Sequence, residues 1–149
     1  TFTSKVLLWS GPAVLTTSAY LIQLRLAGWS PGMETDVGSP LHHTYLEATS
    51  ITFLGIVLCQ VGTAFAARTT HASLRQIGVF SNRPLLWGIA FELLVAGSII
   101  YAPPLQAVFS TAALSASDVA PLLAFPVVVW GVDELWRWRK RRDLRPSTG

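Results

Sequence analysis

Four apolar stretches, each about as long as a helix that crosses a bilayer, decide what this sequence can become: roughly 6 to 24, 48 to 67, 84 to 102 and 118 to 136. A span takes about 20 mostly apolar residues, because a helix rises about 1.5 Å per residue and the hydrocarbon core is about 30 Å thick. Lipid offers no partner to a backbone amide, so such segments must be helices that satisfy their own hydrogen bonds. The predicted fold class is all-α and integral to the membrane, a four-transmembrane-helix bundle that takes up the whole of 1–149. Composition agrees, since only 13% of the chain is charged, about half the share of a soluble domain.

Each span carries its own punctuation. The first holds Gly11-Pro12 and is expected to bend there, because proline removes a donor and crowds the preceding turn. The second carries Gln60 and Thr63 among small residues. The third starts at Pro84, a favourable early helical position, and stops before Pro103-Pro104. The fourth contains Pro121 and Pro126 and ends in Asp133-Glu134-Leu135-Trp136.

Basic residues set the orientation, since lysine and arginine are retained on the cytoplasmic side. With the N-terminus inside, Lys5, the connection residues Arg68, Arg75 and Arg83, and six residues of a 137–149 tail (Arg137, Arg139, Lys140, Arg141, Arg142, Arg145) are all cytoplasmic. Arg25 alone is outside. Both termini are therefore expected in the cytoplasm, with 25–47 and 103–117 as external loops. Trp9, Trp87 and Trp136 fall near inner boundaries, and Tyr20, Trp29, Tyr45 and Tyr101 near outer ones, as interfacial aromatic residues do.

The same residues exclude other classes. The net charge of +3 is concentrated in the tail, which reads as a membrane anchor and gives no nucleic-acid partner. Cys59, the one cysteine, lies inside an apolar run, so neither a disulfide framework nor a cysteine metal site can be built. Glycine-rich phosphate loops, zinc-spaced histidines and nucleophile elbows are absent from the sequence. The opening at Thr1 lacks a small-residue cleavage site after its apolar stretch, so it reads as a cut or processed end and not as a signal peptide.

Glu92 is the most informative position. A carboxylate near the middle of a span costs at least a few kcal/mol unless it is protonated, paired with a cation or facing water. It reads either as an ion ligand or proton carrier, or as a protonated side chain bonded to a neighbouring helix. Gln60 and Thr63, three apart, share a helix face and present oxygen atoms together. Such oxygens suit hard cations, and equally serve as interhelical glue. Asp133 and Glu134 end the last span, and as helix neighbours they point about 100° apart, so an interface role is expected of them and not a catalytic pair. His42 and His43 are expected on the surface of the outer loop, and Cys59 as a packing residue.

With these residues in place, the second half of the chain resembles the C-terminal transmembrane domain of type II cation-transporting P-type ATPases, from its seventh to its tenth helix. Gln60 to Leu74 resembles the pattern Q-x7-R-T-x3-S at the exit of the eighth helix, and Gly78-Val79-Phe80-Ser81-Asn82 resembles G-x-F-x-N before the ninth. Tyr101-Ala102-Pro103 with Phe109 matches Y-x-P and a downstream F. Asp133-Glu134-Leu135 with Arg137 and Lys140 is similar to the end of the tenth. The match covers 48–142 in consistent order, and the first helix and outer loop fit by position.

The resemblance implies a membrane-domain part of an ATP-driven cation pump that supports the transport core and offers Gln60, Thr63 and Glu92 to the ion. Thr63 stands where some relatives have aspartate, and Leu93 where a second acid can occur, so charge is reduced in both places. The phosphorylation and nucleotide-binding motifs are absent, so ATP and magnesium belong to the parent pump and this chain alone is not expected to pump or to be an enzyme. The implied partners are the lipid bilayer, the remaining helices and cytoplasmic domains of the pump, and the transported cation, calcium or a monovalent ion. The expected location is a bacterial plasma membrane. The alternatives are an accessory membrane protein that binds a separate pump and a small proton-coupled four-helix transporter.

Overall fold

The computed structural model describes residues 2–68 and 81–143. The Thr69–Leu74 part of the second-span motif, Gly78 to Phe80, Arg75 and the last six tail residues lie outside the described residues. Every regular element described is a helix: α1 (Phe2–Leu26), α2 (His42–Arg68), α3 (Arg83–Tyr101), α4 (Pro103–Phe109), α5 (Ala116–Leu122) and α6 (Ala124–Asp143). Three segments are long and apolar enough to cross a membrane, His42–Ala67, Arg83–Tyr101 and Ala116–Trp136. The 25 residues of α1 add a fourth rod about 37 Å long.

Helix ends follow local chemistry. Asn82 caps α3 by accepting from the Leu85 amide at 3.2 Å, and Pro84 sits in the first turn, where no amide is needed. Ser115 and Asp118 form a reciprocal capping box on α5. The fourth span is not one continuous helix. Leu123 interrupts it, because the Pro126 ring stands where the Leu122 carbonyl would receive its amide.

Two boundaries differ from the sequence expectation. His42 and His43 belong to the first turn of α2, six residues before the predicted start at 48, and not to the outer loop. The His42 ring nitrogen lies 3.0 Å from the Thr35 carbonyl, and His43 faces Glu47 one turn on at 3.4 Å. At the other end α6 runs through Arg137 to Asp143 instead of stopping at 136. Across Gly11-Pro12 α1 continues as one helix, and the buried Thr16 hydroxyl donates to the Pro12 carbonyl at 2.9 Å.

The helix at the centre is α2, which touches α1, α3, α5 and α6. Ile51, Leu58, Ile100, Leu114 and Leu122 form the apolar core. On the same α2 stripe, glycines let partners approach. A Cβ on Gly62 would stand 2.7 Å from the Pro126 carbonyl oxygen and 2.8 Å from its Cα. One on Gly55 would stand 3.1 Å from Thr16 Cγ2 and 3.2 Å from Phe125 Cε2. Small residues at membrane helix crossings do this elsewhere, since packing and not water expulsion joins the helices.

The connection from α3 to α5 is folded back onto α2. After α4, Ser110 takes a left-handed conformation (φ 53°) and the chain returns with Thr111, Ala112 and Leu114 buried. Thr111 donates to the Ile99 carbonyl at 2.8 Å, Tyr101 to the Leu114 carbonyl at 3.0 Å, and Gln106 to the Ile100 carbonyl. Ser50 Oγ receives the Ala112 amide at 2.8 Å and lies 2.8 Å from the Ala112 carbonyl. It also lies 3.0 Å from the Leu46 carbonyl of its own helix.

Candidate functional site

Exposure along α2 has a helical period. Ile51, Gly55, Leu58 and Gly62 are buried, while Ile56, Gln60, Thr63 and Ala67 are exposed. Both sets step by four, three and four, so each is one stripe of the helix. Gln60 and Thr63 thus stand together on the open side of an otherwise enclosed helix. Thr63 donates its hydroxyl proton to the Cys59 carbonyl at 2.9 Å. With that proton committed, the oxygen presents lone pairs outward and acts as an acceptor.

Glu92 lies on the other kind of face. Leu85, Ile89, Glu92, Ala96 and Ile100 make one stripe of α3, and Ala96 and Ile100 are each 1% exposed. Trp87, Phe91 and Leu94 mark the opposite, exposed stripe, all more than 60% exposed. Glu92 itself is half-buried. Its carboxylate therefore belongs to the bundle side of α3.

Depth can be read from the clamp that Thr111 and Ala112 of the returning connection form on Ile99 and Ser50. These bonds place Ile99 and Ser50 at one level. From there α3 and α2 extend together toward the other side of the membrane. Glu92 is about 10 Å below that level and Gln60 about 15 Å, a difference of about one helical turn. No hydrogen bond joins Gln60, Thr63 and Glu92 to one another among the described residues, so what they share is depth and not contact.

Asp133 continues the inward stripe of α6 (Pro126, Val129, Asp133) and is 6% exposed, while Glu134 is half-buried. They leave the helix in different directions, as adjacent residues must. Cys59 is buried and free. Among the described residues no three of His, Cys, Asp and Glu converge as a resident metal centre would require. Ser50 escaped the sequence reading, because its only signal is a small hydroxyl in an apolar run and its partner is 62 residues away.

The chain is similar to known proteins. The family described as cation transporting ATPase, C-terminus, matches residues 2–139. The chain is similar to calcium-transporting ATPase 1 of Schizosaccharomyces pombe, 35% identical over 94 residues, which are 63% of this chain and 10% of that protein. It is also similar to calcium-transporting ATPase type 2C member 2 of Mus musculus, 36% identical over 95 residues (63% and 10%). Type 2C member 1 of Homo sapiens is 33% identical over 87 residues (58% and 10%). The chain spans about a tenth of the length of these relatives, and because they come from fungi and mammals they lend the expected bacterial membrane no support. Apolar spanning helices and a match over nearly the whole chain lead to one assignment: this integral membrane chain belongs to the C-terminal domain family of the cation-transporting ATPases, as a membrane domain of a type II P-type pump.

Proposed function

We propose that this chain braces the transport core of an ATP-driven cation pump and lends Gln60, Thr63 and Glu92 to the path of the transported ion. The observation that carries the reading is the Gln60 and Thr63 pair on the open side of α2, about one turn in depth from a bundle-facing carboxylate on α3. A cation that leaves water must recover its hydration from protein oxygens, and these three residues supply an amide carbonyl, a hydroxyl and a carboxylate. The relatives are named as calcium-transporting, and an all-oxygen set suits calcium. The stripe meets the remaining helices of the pump, and ATP and magnesium are handled in its cytoplasmic domains. Asp133 and Glu134 secure the inner end of α6.

In the full-length pump, Glu92→Gln keeps size and one carbonyl oxygen but removes the charge. Membrane insertion should survive, while apparent affinity for calcium in ion-dependent ATP hydrolysis should fall about tenfold, equivalent to ~1.4 kcal/mol. Gln60→Ala should shift the same curve less. Unchanged ion dependence and pH profile in Glu92→Gln would make the acid structural and the four helices scaffold only.

A further inference from the structure

Between α1 and the α5–α6 segment lies a groove of about 400 Å³, a size typical of small-ligand sites. Its inner part is lined by Leu15, Ala19, Pro121 and Phe125, and its mouth by Gln23, Ser117 and Asp118. The two walls run in opposite directions, so the late residues of α1 meet the early residues of α5 at the level of the 27–41 connection. Apart from Ser18 the inner part is apolar, and the amide and the carboxylate stand together at the mouth beside Ile22 and Leu26. That is the order of groups along a phospholipid.

The polar mouth has unused capacity. Asp118 accepts from the Ser115 amide and hydroxyl through Oδ2 alone, which leaves Oδ1 for another donor. The Gln23 carbonyl accepts from the Ala27 amide at 3.3 Å, while its side-chain amide, with two donors, makes no hydrogen bond among the described residues. Lysine and arginine are absent from the lining, so the mouth carries one negative charge. We propose that the groove holds one phospholipid with a primary ammonium headgroup. The ammonium donates to Asp118, the phosphate accepts from the Gln23 amide, and an acyl chain lies along Leu15, Ala19 and Phe125. A quaternary ammonium has no proton to donate and an anionic headgroup meets Asp118 unfavourably.

The test uses the full-length protein carrying this chain, purified, stripped of lipid and given phosphatidylethanolamine, phosphatidylcholine or phosphatidylglycerol with identical acyl chains. Native mass spectrometry counts what is retained. One phosphatidylethanolamine should be held with about tenfold preference over phosphatidylcholine, the effect of one charge-assisted hydrogen bond. Asp118→Asn should hold one lipid without that preference, and Ala19→Phe, which fills the floor, should lose it. Thermal unfolding of each variant checks the fold, and should Ala19→Phe not fold, Ile22→Trp fills the same groove from a position 57% exposed. Equal retention of the two zwitterionic lipids by the unaltered protein overturns the proposal. So does unchanged retention in the groove-filled variant, or a protein and not a lipid captured by a photoreactive residue at position 19 in native membranes.

Discussion

Replacing Gly62 with alanine should destabilise the bundle by separating α2 from α6. The added Cβ would come within 2.7 Å of the Pro126 carbonyl oxygen, 2.8 Å of its Cα and 3.1 Å of Val129 Cβ. The first two are backbone atoms, so no rotamer change relieves them and α6 itself must move. Overpacking of this kind costs about 1–3 kcal/mol, and alanine returns about 0.5–1 kcal/mol of helix preference, for a net loss of about 0–2.5 kcal/mol. Two other glycines calibrate the number. Gly55→Ala meets only side-chain atoms, Thr16 Cγ2 and Phe125 Cε2 at 3.1 and 3.2 Å, which can give way, so its net effect should lie within about 1 kcal/mol of zero. Gly88→Ala meets nothing within 4 Å and should stabilise by the helix preference alone. Equilibrium unfolding in detergent–denaturant mixtures, followed by helix content, ranks the three. If Gly62→Ala proves as stable as Gly88→Ala, the close crossing at Pro126 does not hold the helices together.

Further outcomes follow from the clamp and the charge pattern. Ser50→Ala leaves the amide and carbonyl of the 7% exposed Ala112 without their side-chain partner, at a cost of about 1–3 kcal/mol. Amide exchange at 111–114 should quicken about tenfold or more, and unchanged exchange would show the connection is held by other contacts. In a variant with Cys59→Ala, a cysteine placed at Asp36 should react with an impermeant reagent from outside and one at Arg75 should not; the reverse pattern would invert the orientation read from the basic residues.

Much of the architecture was legible because hydropathy and punctuation act locally. The third span is predicted to start at Pro84 and to stop before Pro103-Pro104, and α3 runs Arg83–Tyr101, a local agreement that follows because proline effects are confined to a turn. The early start of α2 was hidden because His42 to Glu47 is polar: a helix that leaves the membrane continues on its own backbone bonds, and an apolar count stops where lipid stops. The Arg- and Lys-rich end of α6 was hidden for the same reason, both residues being good helix formers. The break at Leu123 could have been found from Pro126, whose missing amide would have bonded the Leu122 carbonyl. The shared face of Gln60 and Thr63 was legible from spacing. That Glu92 sits on the bundle side of α3 needed Ala96 and Ile100 to be seen buried.

The position of Ser50 bears on how the chain is made. Ala112 is 62 residues downstream, so α2 enters the bilayer while its partner is still unsynthesised. A lone hydroxyl in hydrocarbon at that stage would be a liability. Ser50 lies 3.0 Å from the Leu46 carbonyl of its own helix, a bond available from the moment α2 forms. The hydroxyl can wait there during translation and turn to Ala112 once α3 and the returning connection have been inserted. The late contact then locks in place a hydroxyl that entered the membrane already satisfied.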